Sequence, residues 1–187
     1  VTESRPNLLL FMPDQLRADA VSCFGNPVVQ TPNIDALAAR GTRFANAYSQ
    51  HSVCSQSRIS MFTGWYPHVA GHRTLSHLLQ PHEPNVFKSL REGGYHVALA
   101  GARGDMMGVG VTEASSDRFG FTVTPDLSAL LHKGPFPDDH KYFSAFYHGA
   151  LDEPPVDFDE ATVRTAIDWL VDGLPEPWCL FVPLMYP

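Results

Sequence analysis

Disulfide chemistry, nucleic-acid binding and membrane spanning are each short of raw material in this sequence. Its three cysteines, Cys23, Cys54 and Cys179, are too few and too widely spaced for a disulfide framework. Lys and Arg total 13 against 20 Asp and Glu, giving a net charge of −7, and no basic run collects them, so the footprint of a nucleic-acid binder is missing. No apolar run approaches the roughly 20 residues that cross a bilayer. Val1-Thr2-Glu3-Ser4-Arg5-Pro6 lacks the basic n-region and small-residue cleavage site of a secretory signal, so a cytoplasmic location is expected. The nine histidines include no His-x-x-x-His pair set with acidic partners on a clear helix, which argues against zinc.

What the chain does have is a core. Its 187 residues are 44% hydrophobic and 18% charged, enough for one acidic domain. Asn7 to Met12 is continuously apolar and reads as a strand covered on both faces. Thr31 to Gly41 reads as a complete helix: Thr31 caps it, Pro32 opens it, Ile34, Leu37 and Ala38 form a buried stripe, and Gly41 stops it. Pro84 opens a second helix with Val86, Phe87 and Leu90 inward, ended by Gly93-Gly94. Tyr95 to Ala100 follows as a strand. Asp157 and Glu160 make a capping box, ahead of a stripe at Val163, Ala166, Ile167, Leu170 and Val171 that Gly173 ends. Trp178 to Val182 is the last strand, with Cys179 in the core. Strands alternating with helices predict an α/β domain with a mostly parallel sheet flanked by helices. Met106 to Pro155, rich in Gly, Pro, Asp and aromatics, offers no firm element and is expected to be an insert or active-site lid. Domains seldom end just past a buried strand, so a chain stopping at Leu184-Met185-Tyr186-Pro187 reads as a fragment of a longer protein.

Chemistry concentrates at Ser52-Val53-Cys54-Ser55-Gln56-Ser57-Arg58. The cysteine follows a loop and heads a segment of helical character that ends at Gly64. A helix N-terminus favours a thiolate and seats a tetrahedral anion on its free N–H groups. Helical spacing sets Arg58 on the same face as Cys54, where a guanidinium can grip two oxygens of a sulfate or phosphate. Asp14, just past the first strand, stands where ligands collect in an open parallel sheet and is a candidate metal ligand. Arg17 and Asp19 read as a solvated pair. The loop Trp65 to Arg73 suits an active-site rim as well as a packed turn; His68 reads as structural, while His72 and Arg73 are candidates to face the anion.

Cys54-Ser55-Gln56-Ser57-Arg58, with Thr63-Gly64 beyond, resembles the signature of the formylglycine sulfatases, Cys-x-Pro-Ser-Arg followed by Thr-Gly; Gln56 stands at the proline position. Thr31-Pro32-Asn33-Ile34-Asp35-Ala36-Leu37-Ala38-Ala39-Arg40-Gly41 resembles a scaffolding string of the same family. The resemblance implies an alkaline phosphatase-like fold, of which residues 1–187 are the N-terminal part. It implies an arylsulfatase-like hydrolase of small-molecule sulfate esters, in which a maturation enzyme oxidises Cys54 to formylglycine. It further implies a calcium ion, or another divalent cation, bound by Asp14 and residue 54, with Arg58 steadying the nucleophile. Pro13 stands where the family has a further aspartate. Where the family carries Gly-Lys-x-His, this chain reads Gly101-Ala102-Arg103-Gly104, and Arg103 is the candidate to replace the missing charge. Further metal ligands are expected downstream, so 1–187 alone is expected to be inactive.

Two other readings stay open. Asp14-Gln15-Leu16-Arg17-Ala18-Asp19 resembles the Asp-Gln-x-Arg-Ala-Asp pattern of the phosphonate monoester hydrolases, which would use the same nucleophile on phosphorus esters. Pro13, Gln56 and Ala102 together would also suit a degenerate, non-catalytic binding relative. Oligomeric state is left open, a homo-oligomer included.

Overall fold

The computed structural model describes residues 4–101, 105–126 and 156–186. Four strands, β1 (Leu8–Met12), β2 (His96–Ala100), β3 (Arg118–Gly120) and β4 (Trp178–Pro183), form one sheet in the order β1-β4-β2-β3. Every pairing is parallel. Parallel neighbours need crossovers, and helices supply them on both faces.

One face is covered by α2 (Cys54–Thr63), α3 (Val86–Glu92) and α4 (Val111–Ser115). Ile59 and Phe62 from α2, Phe87 from α3 and Val111 from α4 meet Val97, Leu99, Cys179 and Phe181 of the sheet in one apolar cluster. The rings of Phe62, Phe87 and Phe181 lie 4.8 to 5.3 Å apart, centroid to centroid. Truncating one such ring to alanine costs about 3–5 kcal/mol. The opposite face carries α5 (Phe158–Asp172), whose Ala166 and Trp169 pack on Ala98, Ala100, Leu180 and Val182. Asp157 caps α5 by accepting from the Glu160 N–H at 2.8 Å, as the capping box predicts. Gly101 lets this layer sit close: a Cβ there would meet Thr162 Oγ1 at 2.5 Å.

Five expectations need correction. The first strand is not covered on both faces. Leu8, Leu10 and Met12 pack on the core, whereas Leu9 and Phe11 are 56% and 55% exposed, because α5 covers β2 and β4 and stops short of β1. Helix α1 (Pro32–Arg40) forms where predicted but buries no residue; Ile34 and Leu37 face solvent. Thr31 makes no capping bond, since its hydroxyl is engaged by Ser22 and Asp35. On α5 the buried stripe is Ala161, Thr162, Thr165, Ala166 and Trp169, rotated from the apolar one, leaving Ile167, Leu170 and Val171 exposed. The tract after Met106 begins with α4 and β3, so its first part belongs to the sheet; the rest of the expected lid, 127–155, lies outside the described residues. Among the described residues no helix is long and apolar enough to cross a membrane.

Candidate active site

The site is assembled at the carboxyl ends of the strands. Beyond β1 the chain turns sharply through Asp14 and Gln15, the latter in the left-handed region at φ 53°. Beyond the loop that follows α1, Val53 stays extended and Cys54 becomes the first residue of α2. The first helical bond there is Ser57 N–H to the Val53 carbonyl, so the preceding N–H groups are not used by the helix ladder. Gly64, at φ 75°, ends α2 with its N–H bonded to the Ser60 carbonyl.

A cavity of about 460 Å³ is lined by Met12 to Leu16, Ser49, His51 to Cys54, Ser57, Arg58 and Met61. Cys54 is partly exposed there. Arg58 is 4% exposed and its Nη2 donates to Asp14 Oδ1 at 3.1 Å, while Nη1 lies 3.5 Å from Asp105 Oδ1. Ser55 Oγ donates to the Asp105 backbone carbonyl, tying the start of α2 to the segment beyond β2. His51 Nδ1 accepts from the Val53 N–H at 3.0 Å, which orients its ring at the cavity wall. A second groove of about 580 Å³, lined by Tyr48, Trp65 and Tyr66 and by no charged residue, shares Ser49, Ser57 and Met61 with the first.

Cys54, Arg58 and Asp14, distant in sequence or assigned separate roles, therefore share one cavity. His72 is not in it. That residue is 1% exposed; its Nδ1–H donates to the His77 carbonyl at 2.8 Å and its Nε2 lies 3.1 Å from Glu83 Oε1. With both ring nitrogens committed, His72 braces its own loop, and neighbouring Arg73 is exposed. Arg103 lies outside the described residues. Arg17 and Asp19 form the expected exposed pair. Asp105 and His51 were not anticipated. Asp105 had a readable signal, a carboxylate just beyond a buried parallel strand, the same cue that marked Asp14.

Asp14 supplies the hard carboxylate oxygen that calcium or magnesium takes, and it opens on the cavity beside Cys54. No group of three or more His, Cys, Asp or Glu side chains converges on one point among the described residues. The donor type is one that suits a hard cation.

A cysteine at a helix N-terminus, a buried guanidinium and a carboxylate thus meet at the mouth of a parallel α/β sheet, an arrangement suited to holding a tetrahedral anion. The sulfatase family model matches residues 6–187, and the chain belongs to the sulfatase family. An N-acetylglucosamine-6-O-sulfatase of Bacteroides thetaiotaomicron is 33% identical over 97 residues, which is 52% of this chain and 17% of that protein. Arylsulfatase H of Canis lupus familiaris is 38% identical over 110 residues, 52% of this chain and 20% of its own length. Among solved structures, a 2-O GAG sulfatase superposes with a TM-score of 0.69 at 25% identity, over 98% of this chain and 35% of that one. A phosphonate monoester hydrolase of Agrobacterium radiobacter has the same fold, with a TM-score of 0.67 at 23% identity over 97% of this chain and 41% of its own. The chain thus spans about a third of the length of the sulfatase structure it matches. The fold is the alkaline phosphatase-like one that the sequence resemblance implied.

Proposed function

We propose that residues 1–187 are the nucleophile-bearing, N-terminal part of an arylsulfatase-like enzyme that hydrolyses sulfuric esters of small molecules. The observation that carries this reading is the shared cavity of Cys54, Arg58 and Asp14. The curated relatives, sulfatases by name, support the sulfate ester as the reacting group.

Residue 54 is the nucleophile. Oxidised to formylglycine by a maturation enzyme, it would supply a hydrated aldehyde: one hydroxyl attacks sulfur as the alcohol leaves with a proton, and the second hydroxyl, losing its proton, then expels sulfate and restores the aldehyde. The partial exposure of Cys54 at the helix start is compatible with such processing. Arg58, buried and fixed by Asp14, presents a planar guanidinium that orients the oxygens on residue 54. The uncommitted N–H groups of the first turn of α2 add a positive field toward the sulfate oxygens. Asp14 and residue 54 would hold a calcium ion or similar divalent cation, whose charge offsets that developing on the oxyanion. The neutral, aromatic groove beside the cavity would take the alcohol portion of the ester. Arg103 remains a candidate for the charge that the family places beyond β2. Three cysteines without a disulfide suit a reducing compartment, consistent with the cytoplasm.

The run Asp14 to Asp19 favours one alternative, a phosphonate monoester or phosphodiester hydrolase built on the same nucleophile. The test uses the full-length protein and paired sulfate and phosphonate esters of one leaving group. A higher kcat/KM for the sulfate supports the proposal, and a higher value for the phosphonate replaces it. A plain thiol at residue 54 by peptide mass, with no turnover of either ester, reduces the chain to a non-catalytic relative.

A further inference from the structure

Arg58 lies between two carboxylates that differ in what else they face. Asp14, beyond β1, bonds to Nη2 at 3.1 Å and lines the cavity with Cys54. Asp105, beyond β2, stands 3.5 Å from Nη1 and is not part of that cavity's lining. Its backbone carbonyl accepts from Ser55 Oγ, three residues before Arg58 on the same helix, so Asp105 is fastened to α2 independently of its carboxylate. Among the described residues Nη1 makes no hydrogen bond, so a closer approach to Asp105 would break none there.

We propose that Asp105 is a positioning residue that retains Arg58 while Asp14 turns from the guanidinium to a divalent cation. This rests on the reading that Asp14 is a cation ligand. A carboxylate cannot serve a metal and a guanidinium equally well, and a guanidinium left alone in a buried place is strongly penalised. Asp105 removes that penalty: Arg58 slides from a shared to a single partner, and its charge stays compensated beside residue 54. Metal uptake and the orientation of Arg58 thereby become one coupled event.

The test is a double-mutant cycle on calcium binding in the full-length protein, read by titration calorimetry in wild type, Asp105→Asn, Arg58→Gln and the double variant. Unfolding midpoints in chelator, with Asp105→Glu as the conservative control, establish that each protein is folded. Asp105→Asn is expected to weaken calcium binding roughly tenfold when Arg58 is present and less than about twofold when it is absent, a coupling of at least about 1 kcal/mol. Asp105→Glu is expected to restore most of the affinity. Equal weakening in both backgrounds would make Asp105 a ligand or a remote charge and overturn the proposal, as would no weakening in either. A wild type that takes up no calcium sinks the cation reading itself, and the handover with it.

Discussion

Arg58 Nη2 donates to Asp14 Oδ1 at 3.1 Å although 44 residues separate them in the chain. This contact joins the second turn of α2 to the segment just past β1, and it brings a helix and a strand end to one cavity. Replacing Arg58 by lysine keeps the charge but loses the planar fork. In the full-length enzyme Arg58→Lys is expected to lower kcat/KM by about 10²–10³-fold, the usual effect of losing one preorganised donor. Arg58→Ala adds a stability loss of about 3–5 kcal/mol, because the ion pair with Asp14 is broken inside the protein. Steady-state kinetics and urea unfolding measure the two separately; wild-type kcat/KM in the lysine variant would refute the assigned role.

Gln56 is 4% exposed and its Oε1 has no hydrogen-bond partner, an uncommon burden for a residue in the first turn of a helix. Its N–H precedes the first helical bond, which begins at Ser57. Proline at this position would therefore break no rung of the ladder and would remove the orphaned oxygen. Gln56→Pro is expected to leave the thermal midpoint unchanged or raise it. It is also expected to increase the fraction of Cys54 peptide carrying the lower, formylglycine mass after expression with a maturation enzyme. A lower midpoint together with unchanged conversion would count against this view of residue 56.

Asp117 gives the sheet a dependence on pH. Burial pushes its carboxyl upward, but the Val97 N–H at 2.9 Å and the Arg91 guanidinium at 2.8 Å together outweigh that and hold it below the ordinary carboxylate value. A depressed acid stabilises the fold above its unfolded pKa, about 3.9, and that contribution fades as pH falls through the folded value. Asp117→Asn is thus expected to cost about 1–2 kcal/mol near neutrality and progressively less below about pH 4. Urea unfolding of both proteins at neutral and acid pH tests it. An equal deficit at both would show that the charge is not involved.

The cysteines should separate cleanly by reactivity. Burial pushes the Cys179 thiol up to about 11, whereas Cys23 and Cys54 are partly exposed. Iodoacetamide near pH 8 is expected to spare Cys179 until urea is added and to label Cys23 in the native protein. Residue 54 should take label only in molecules that have not been oxidised. Peptide mapping reads all three positions, and prompt native labelling of Cys179 would contradict the packing of β4.

The sequence made some features plain because they are written locally. The capping box at Asp157 and Glu160, the glycine ending α2 and the apolar runs of β2 and β4 each depend on residues close in the chain. Which face of an element becomes buried depends on its neighbours, and there the reading slipped. Helix α5 turns Thr162 and Thr165 inward because Gly101 and Thr122 meet them. Elements α4 and β3 are too short, five residues and three, to leave a periodic trace. Cys54, Arg58 and Asp14 were legible from residue type and spacing. Asp105 carried the same cue as Asp14, a carboxylate just past a buried strand, but its contact with α2 is long-range, and the pairing of His72 with buried Glu83 is likewise set by the fold of their loop.

The bare flank of β1 has a practical consequence. Among the described residues this strand pairs on one side only, with β4, and it turns Leu9 and Phe11 outward. An open ladder of backbone donors and acceptors beside two large apolar side chains is a template for another molecule's strand. Expressed alone, the 187-residue polypeptide should self-associate, and a charged replacement at Leu9 or Phe11 should keep it dispersed for handling.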